Sequence, residues 1–93
     1  MLQLSRSELE SWQKAGKKFR LVDVREEWEH TTHNIGGELI PLGDIMTSFL
    51  AQEFETPVVF YCKRGIRSQI AIQRLQHKYP SLVMYNLVGG IGQ

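Results

Sequence analysis

The sequence predicts an α/β domain built on a small, mostly parallel central sheet flanked by helices. Three observations lead there. Runs of strand-forming residues alternate with helical patterns along the chain. Residues 57–62, PVVFYC, are continuously apolar, as in a strand covered on both faces. The chain of 93 residues is long enough for one compact domain and too short for two, so a single domain over residues 1–93 is expected.

The elements follow in order. Ser5 with Glu8, or Ser7 with Glu10, has the spacing in which two side chains satisfy each other's orphan backbone N–H groups, so a helix is expected to start there. Leu9 and Trp12 can share its buried face, and Gly16 with Lys17 and Lys18 reads as its stop. FRLVDV, residues 19–24, is a strand that empties into the charged segment REEWEH. TTHNIGG, residues 31–37, reads as a loop leading to a short extended piece at ELIP. A helix is expected over residues 42–52, burying Ile45, Met46 and Phe49. After PVVFYC, residues 68–79 form a helix carrying Ile70, Ile72 and Leu75 and ending before Pro80. LVMYNLV, residues 82–88, is the last strand, and GGIG the closing turn.

Composition narrows the function classes. With 42% apolar and 23% charged residues the chain is of ordinary globular type. Its net charge is +1, and its basic residues are scattered except at Lys63, Arg64 and Arg67, so no nucleic-acid interface is expected. No apolar run approaches the ~20 residues that span a bilayer, and no membrane association is expected. The opening MLQLSRSELESW lacks the basic segment and apolar core of a secretory leader, and one cysteine makes no internal disulfide, so the expected location is the cytoplasm. The three histidines and one cysteine show no metal-ligand spacing, and neither metal nor cofactor is expected.

That cysteine, Cys62, ends the apolar strand and precedes a helix, with Lys63, Arg64 and Arg67 beside it. It reads either as a small buried hydrophobe or as an activated nucleophile. Ligands of parallel sheets bind beyond the strand carboxyl ends, where loop and helix N–H groups converge and favour negative charge. A free thiol has a pKa of about 8.5, and lowering it by ~2 units takes roughly 2.7 kcal/mol. A helix terminus supplies only ~0.3–2 kcal/mol, so the three cations are the expected remainder.

Four segments resemble the single-domain rhodaneses: DVR at 23–25, HNIGGELIP at 33–41, VVFYCKRGIRS at 58–68 and the terminal LVGGI. The family forms are a D-V-R strand end, an H-I-x-G-A-x-x-I-P segment, a C-x-x-G-x-R-S loop and an L-x-G-G motif. Thr32 and Asn34 depart from that pattern, the segment before His33 is a residue short, and the chain stops at Gln93 where the family continues with an aromatic residue, as in a domain trimmed from a longer protein. The resemblance implies a rhodanese-like three-layer domain and a sulfurtransferase. Cys62 would carry a sulfane sulfur as a persulfide, taken from a small anionic donor such as thiosulfate and passed to a thiol acceptor or sulfur-carrier protein.

On the same footing, Lys63, Arg64, Gly65, Ile66 and Arg67 would form the persulfide-binding loop, with Gly65 at positive φ. Ser68 would cap the following helix and donate to the loop. Asp23 would fix a loop arginine or bond local backbone N–H groups, Arg25 would support the rim, and His33 would be structural. His30 and His77 read as surface residues, and Trp12 and Trp28 as packing or rim residues. A cysteine phosphatase or arsenate reductase needs C-x5-R, whereas here Ser68 lies six residues after Cys62, Arg67 comes one early, and Tyr61 stands where such enzymes have histidine. A non-catalytic interaction module is the other alternative.

Overall fold

The computed structural model describes residues 1–92. Ser5 caps α1 (Arg6–Lys14) as its spacing predicts: the Glu8 N–H donates to Ser5 Oγ at 3.1 Å and the Ser5 N–H to Glu8 Oε1 at 2.9 Å. The further elements are β1 (Leu2–Leu4), β2 (Arg20–Asp23), α2 (Glu27–Thr32), β3 (Glu38–Leu39), a 3-10 turn (Leu42–Asp44), α3 (Ile45–Ser48), β4 (Val58–Tyr61), α4 (Ile66–Lys78) and β5 (Met84–Leu87). All five strands pair in parallel in the order β1-β5-β4-β2-β3, so β4 is central.

Alternation along β4 builds two cores, one on each side of the sheet. Val58, Phe60 and Cys62 face a cluster with Ile45 and Phe49 from the α3 side and Ala71, Ile72 and Leu75 of α4. Val59 and Tyr61 face Leu4, Leu9 and Leu87, with Trp12 packed edge-on against Phe19 and Tyr85. All four β4 residues are buried, as the apolar run predicts.

Several expectations are corrected. The strand β1 was not legible: it is an edge of three residues whose only neighbour, β5, lies at the far end of the sequence. The charged REEWEH segment enters α2, which also takes Thr31 and Thr32 from the expected 31–37 loop; its residues carry no apolar stripe, and its charged groups bond to the rest of the fold instead. The helix expected over 42–52 shrinks to a 3-10 turn and one α-turn, because Phe49 is already extended at ψ 124°. Phe49 and Ile45 are buried, but Met46 is exposed. The helix expected from 68 begins at Ile66, and Ile70 is only half-buried on it.

Candidate active site

The loop between β4 and α4 turns on Gly65, which precedes the helix at φ +86°. A Cβ there would strain that conformation and crowd Leu87 O and the Gly89 N–H, each at 3.2 Å. The turn folds the chain back over the sulfur. The Gly65 N–H donates to Cys62 Sγ at 3.0 Å and the Ser68 N–H at 3.5 Å, while Ser68 Oγ lies 3.4 Å away. Burial by itself pushes the Cys62 thiol up. The backbone N–H groups of Ser68, Arg64 and Gly65, and the Ser68 hydroxyl in the rotamer that turns it to sulfur, outweigh it, and the thiol is held below its ordinary value. The sequence divides this work between the helix terminus and the three cations; hydrogen bonds from the loop and the first turn of the helix are its main source.

A cleft of about 360 Å³ opens over the cysteine, lined by Cys62, Lys63, Arg64, Ile66 and Arg67. Lys63 and Arg64 are exposed at its mouth, and the Ile66 side chain stands in solvent with 63% of its surface free. Trp28, 70% exposed, lines a smaller groove of about 100 Å³ that also reaches Lys63. It is a rim residue, whereas Trp12 packs.

Ser68 is not the cap. It is the third residue of α4 and fully buried, and its hydroxyl donates to Asn86 Oδ1 on β5. Nor does Asp23 hold a loop arginine. Its Oδ1 accepts the Arg25 backbone N–H at 2.9 Å, as the local-backbone alternative had it, and its carboxylate also takes the Arg25 guanidinium at 2.9 and 2.8 Å. Arg25, fully buried, reaches on to the His33 carbonyl at 2.6 Å and so ties the α2 exit to the strand end. His33 itself is exposed. His30, expected on the surface, is half-buried, with Nδ1 2.8 Å from Asp23 Oδ2. His77 is exposed as expected. Tyr61, at the position a phosphatase gives to histidine, donates its hydroxyl to the Gly36 carbonyl at 2.9 Å, and burial together with the nearby Asp23 charge pushes its phenol up to about 12.

The loop arginine is fixed by Glu29, which the sequence reading missed. Arg67 Nη1 and Nη2 donate to the two Glu29 carboxylate oxygens at 2.7 and 2.9 Å, and Glu29 Oε1 also accepts the Glu26 N–H at 3.0 Å. A carboxylate three residues past the charged N-terminus of a segment was the available signal, but its partner lies 38 residues on. The Arg67 guanidinium, against the cost of burial, draws the Glu29 carboxyl down to about 2. Because that folded value lies below the ordinary 4.5, the stabilisation is full above pH 4.5 and is lost as pH falls toward about 2. Glu29→Gln is therefore expected to cost about 1–2 kcal/mol in urea unfolding near neutral pH. The difference from the parent should fade through that acid window; a deficit constant with pH would contradict the assignment.

Asn86 is the other residue missed. It is a buried amide in an apolar strand, and that polar interruption of LVMYNLV was its signal. Among the described residues no group of three or more His, Cys, Asp or Glu side chains could hold a metal ion, and no helix is long and apolar enough to cross a membrane.

Fold and site together define a parallel α/β domain that presents one cysteine, ringed by N–H donors, at the carboxyl end of its central strand. The chain belongs to the rhodanese-like domain family, whose model matches residues 5–93. It is 34% identical over 83 residues to the adenylyltransferase and sulfurtransferase MOCS3 of Drosophila sechellia, covering 81% of this chain and 18% of that protein. The chain thus spans about a fifth of the length of the curated relatives it matches. Among solved structures it resembles the human single-domain sulfurtransferase TSTD1, with TM-score 0.72, 25% identity and coverage of 95% and 91% of the two chains. The rhodanese-like domain protein of Staphylococcus aureus shares the fold, with TM-score 0.85, 23% identity and coverage of 97% and 87%.

Proposed function

We propose that this chain is a rhodanese-type sulfurtransferase that carries sulfane sulfur on Cys62. The observation that carries this reading is the focus of the Gly65 and Ser68 N–H groups on Cys62 Sγ at the floor of a cationic cleft. A thiolate held there attacks the outer sulfur of a small anionic donor such as thiosulfate. The Cys62–S bond forms, the donor's S–S bond breaks, and sulfite leaves with the electron pair. A thiophilic acceptor, whether cyanide, a low-molecular-weight thiol or a sulfur-carrier protein, then attacks the outer sulfur, and the electrons of the breaking bond return to Cys62 Sγ. Lys63 and Arg64 draw the anionic donor to the mouth, and the loop N–H groups cradle the charge on the terminal sulfur. The relatives named as sulfurtransferases support the same chemistry.

The spacing and setting of Arg67 weigh against phosphoryl transfer. Its guanidinium is engaged by Glu29 rather than free to clamp three phosphoryl oxygens. Intact-mass measurement after incubation with thiosulfate is expected to show one added sulfur atom that cyanide removes. If no sulfur is gained from thiosulfate, glutathione persulfide or a desulfurase-bound persulfide, the reading fails.

A further inference from the structure

From Cys62 a chain of polar groups runs through Ser68 to Asn86 and Gln3, two residues that the transfer chemistry does not use. Cys62 Sγ lies 3.4 Å from Ser68 Oγ, Ser68 Oγ donates to Asn86 Oδ1, and Asn86 Nδ2 donates to Gln3 Oε1 at 2.9 Å. Gln3 and Asn86 are register partners across β1 and β5, the first exposed and the second buried.

A serine hydroxyl has a single hydrogen. While Ser68 gives it to Asn86 Oδ1, the oxygen can only accept from Cys62, an arrangement that suits the neutral thiol. A thiolate needs that hydrogen turned toward sulfur. Asn86 Oδ1 would then face a bare hydroxyl lone pair unless the amide turns to offer Nδ2 to Ser68 and Oδ1 to residue 3. Gln3, at the exposed edge, can turn its own amide to donate through Nε2. Each of the two complete arrangements satisfies every group, and every mixed one opposes two acceptors or two donors.

We propose that Asn86 and Gln3 are positioning residues which, through Ser68, set which protonation state of Cys62 the fold favours. Asn86 Oδ1 toward Ser68 holds the thiol, and Asn86 Nδ2 toward Ser68 holds the thiolate. The proton leaving Sγ passes through the cleft to water; along the chain only one hydroxyl rotates and two amides turn. The inference rests on the reading of Cys62 as a reactive thiolate. The charged groups on this side of the fold are Lys63 and Arg64 of the loop, Arg67 of α4 with Glu29 and His30 of α2, and Asp23 and Arg25 at the end of β2. The sequences of β1 and β5, LQL and MYNL, bring no carboxylate, amine or guanidinium.

Residue 3 can be changed without repacking a core. A carboxylate only accepts and an ammonium only donates, so Gln3→Glu locks Asn86 Oδ1 toward Ser68, and Gln3→Lys locks Nδ2 toward it. Cys62 is the single cysteine, so alkylation by iodoacetamide reports on it alone. The pH midpoint of alkylation is expected to rise by about one unit in Gln3→Glu and to fall by about one unit in Gln3→Lys, about a tenfold change in thiolate fraction below the midpoint. Both shifts should vanish in a Ser68→Ala background and persist at high salt. The field of a new surface charge has the same signs, but it survives Ser68→Ala and shrinks with salt. That outcome, or no shift in either variant, overturns the proposal. If Ser68→Ala does not fold, the salt dependence decides. Alkylation needs no sulfur donor, so this result is independent of whether the protein transfers sulfur.

Discussion

Replacing Cys62 by serine is expected to abolish sulfur loading and to reduce thiosulfate-dependent thiocyanate formation by on the order of 10³-fold or more. The substitution keeps the size and the ability to accept from the Gly65 and Ser68 N–H groups, so the loop has no reason to rearrange. What changes is chemical. A serine hydroxyl stays protonated at neutral pH, and its hard oxygen is a poor partner for a sulfane sulfur, whereas the thiol is held below its ordinary value by the loop's hydrogen bonds. Continuous cyanide assays on Cys62→Ser, with a melting curve to confirm the fold, check this. Activity comparable to the parent would mean that the sulfur is carried elsewhere or transferred without a covalent stage.

Gly90→Ala is expected to lower the melting temperature by on the order of 15 °C, from a loss of about 3 kcal/mol. Gly90 is at φ +64°, and a Cβ on it would lie 2.4 Å from Cys62 O and from the Lys63 carbonyl atoms. Those are backbone atoms, and the same turn holds them close: the Ile91 N–H donates to Cys62 O at 3.1 Å and the Gly92 N–H to Lys63 O at 2.8 Å. The GGIG turn is therefore the clasp that fixes where the cysteine loop begins. Alanine must break it or push the loop out of position. Gly89 supplies the control, because it has a similar φ of +71° with nothing within 4 Å of a Cβ. Gly89→Ala should lose only about 1 kcal/mol, the left-handed backbone penalty. Equal melting temperatures for the two variants would show that the contact with the loop carries no cost.

These two glycines mark where reading the sequence stops. Adjacent in the chain and alike in conformation, they differ only in what another segment places beside them. The same holds for Glu29. Its helix has no apolar stripe, so periodicity is silent, and its role appears only when Arg67 arrives from α4. In contrast, Ser5 and Glu8 were legible because both halves of the capping box lie within one turn. The first strand, β1, was missed for want of length, and the helix at 42–52 was overextended because Phe49 and its neighbours are spaced helically while the backbone turns off at Phe49. For Asp23 the sequence leaves two roles open, a loop arginine or local backbone N–H groups, and the structure has the second, with the adjacent Arg25 guanidinium on the same carboxylate.

By itself the sequence determined the α/β alternation, the buried central strand, the place of Cys62 at its carboxyl end and the spacing to Arg67. All of these follow from periodicity and from separations of a few residues, which local sterics and hydrogen bonding translate directly into geometry. Only the tertiary structure decided what surrounds the sulfur: that Glu29 holds Arg67, that Ser68 turns to Asn86 rather than capping its helix, and that Gly90 closes on the loop. Those contacts join residues 38, 18 and about thirty positions apart. No local rule assigns such partners, because which carboxylate or amide meets a given donor depends on how the strands order in the sheet, and that order follows from burying both of its faces at once.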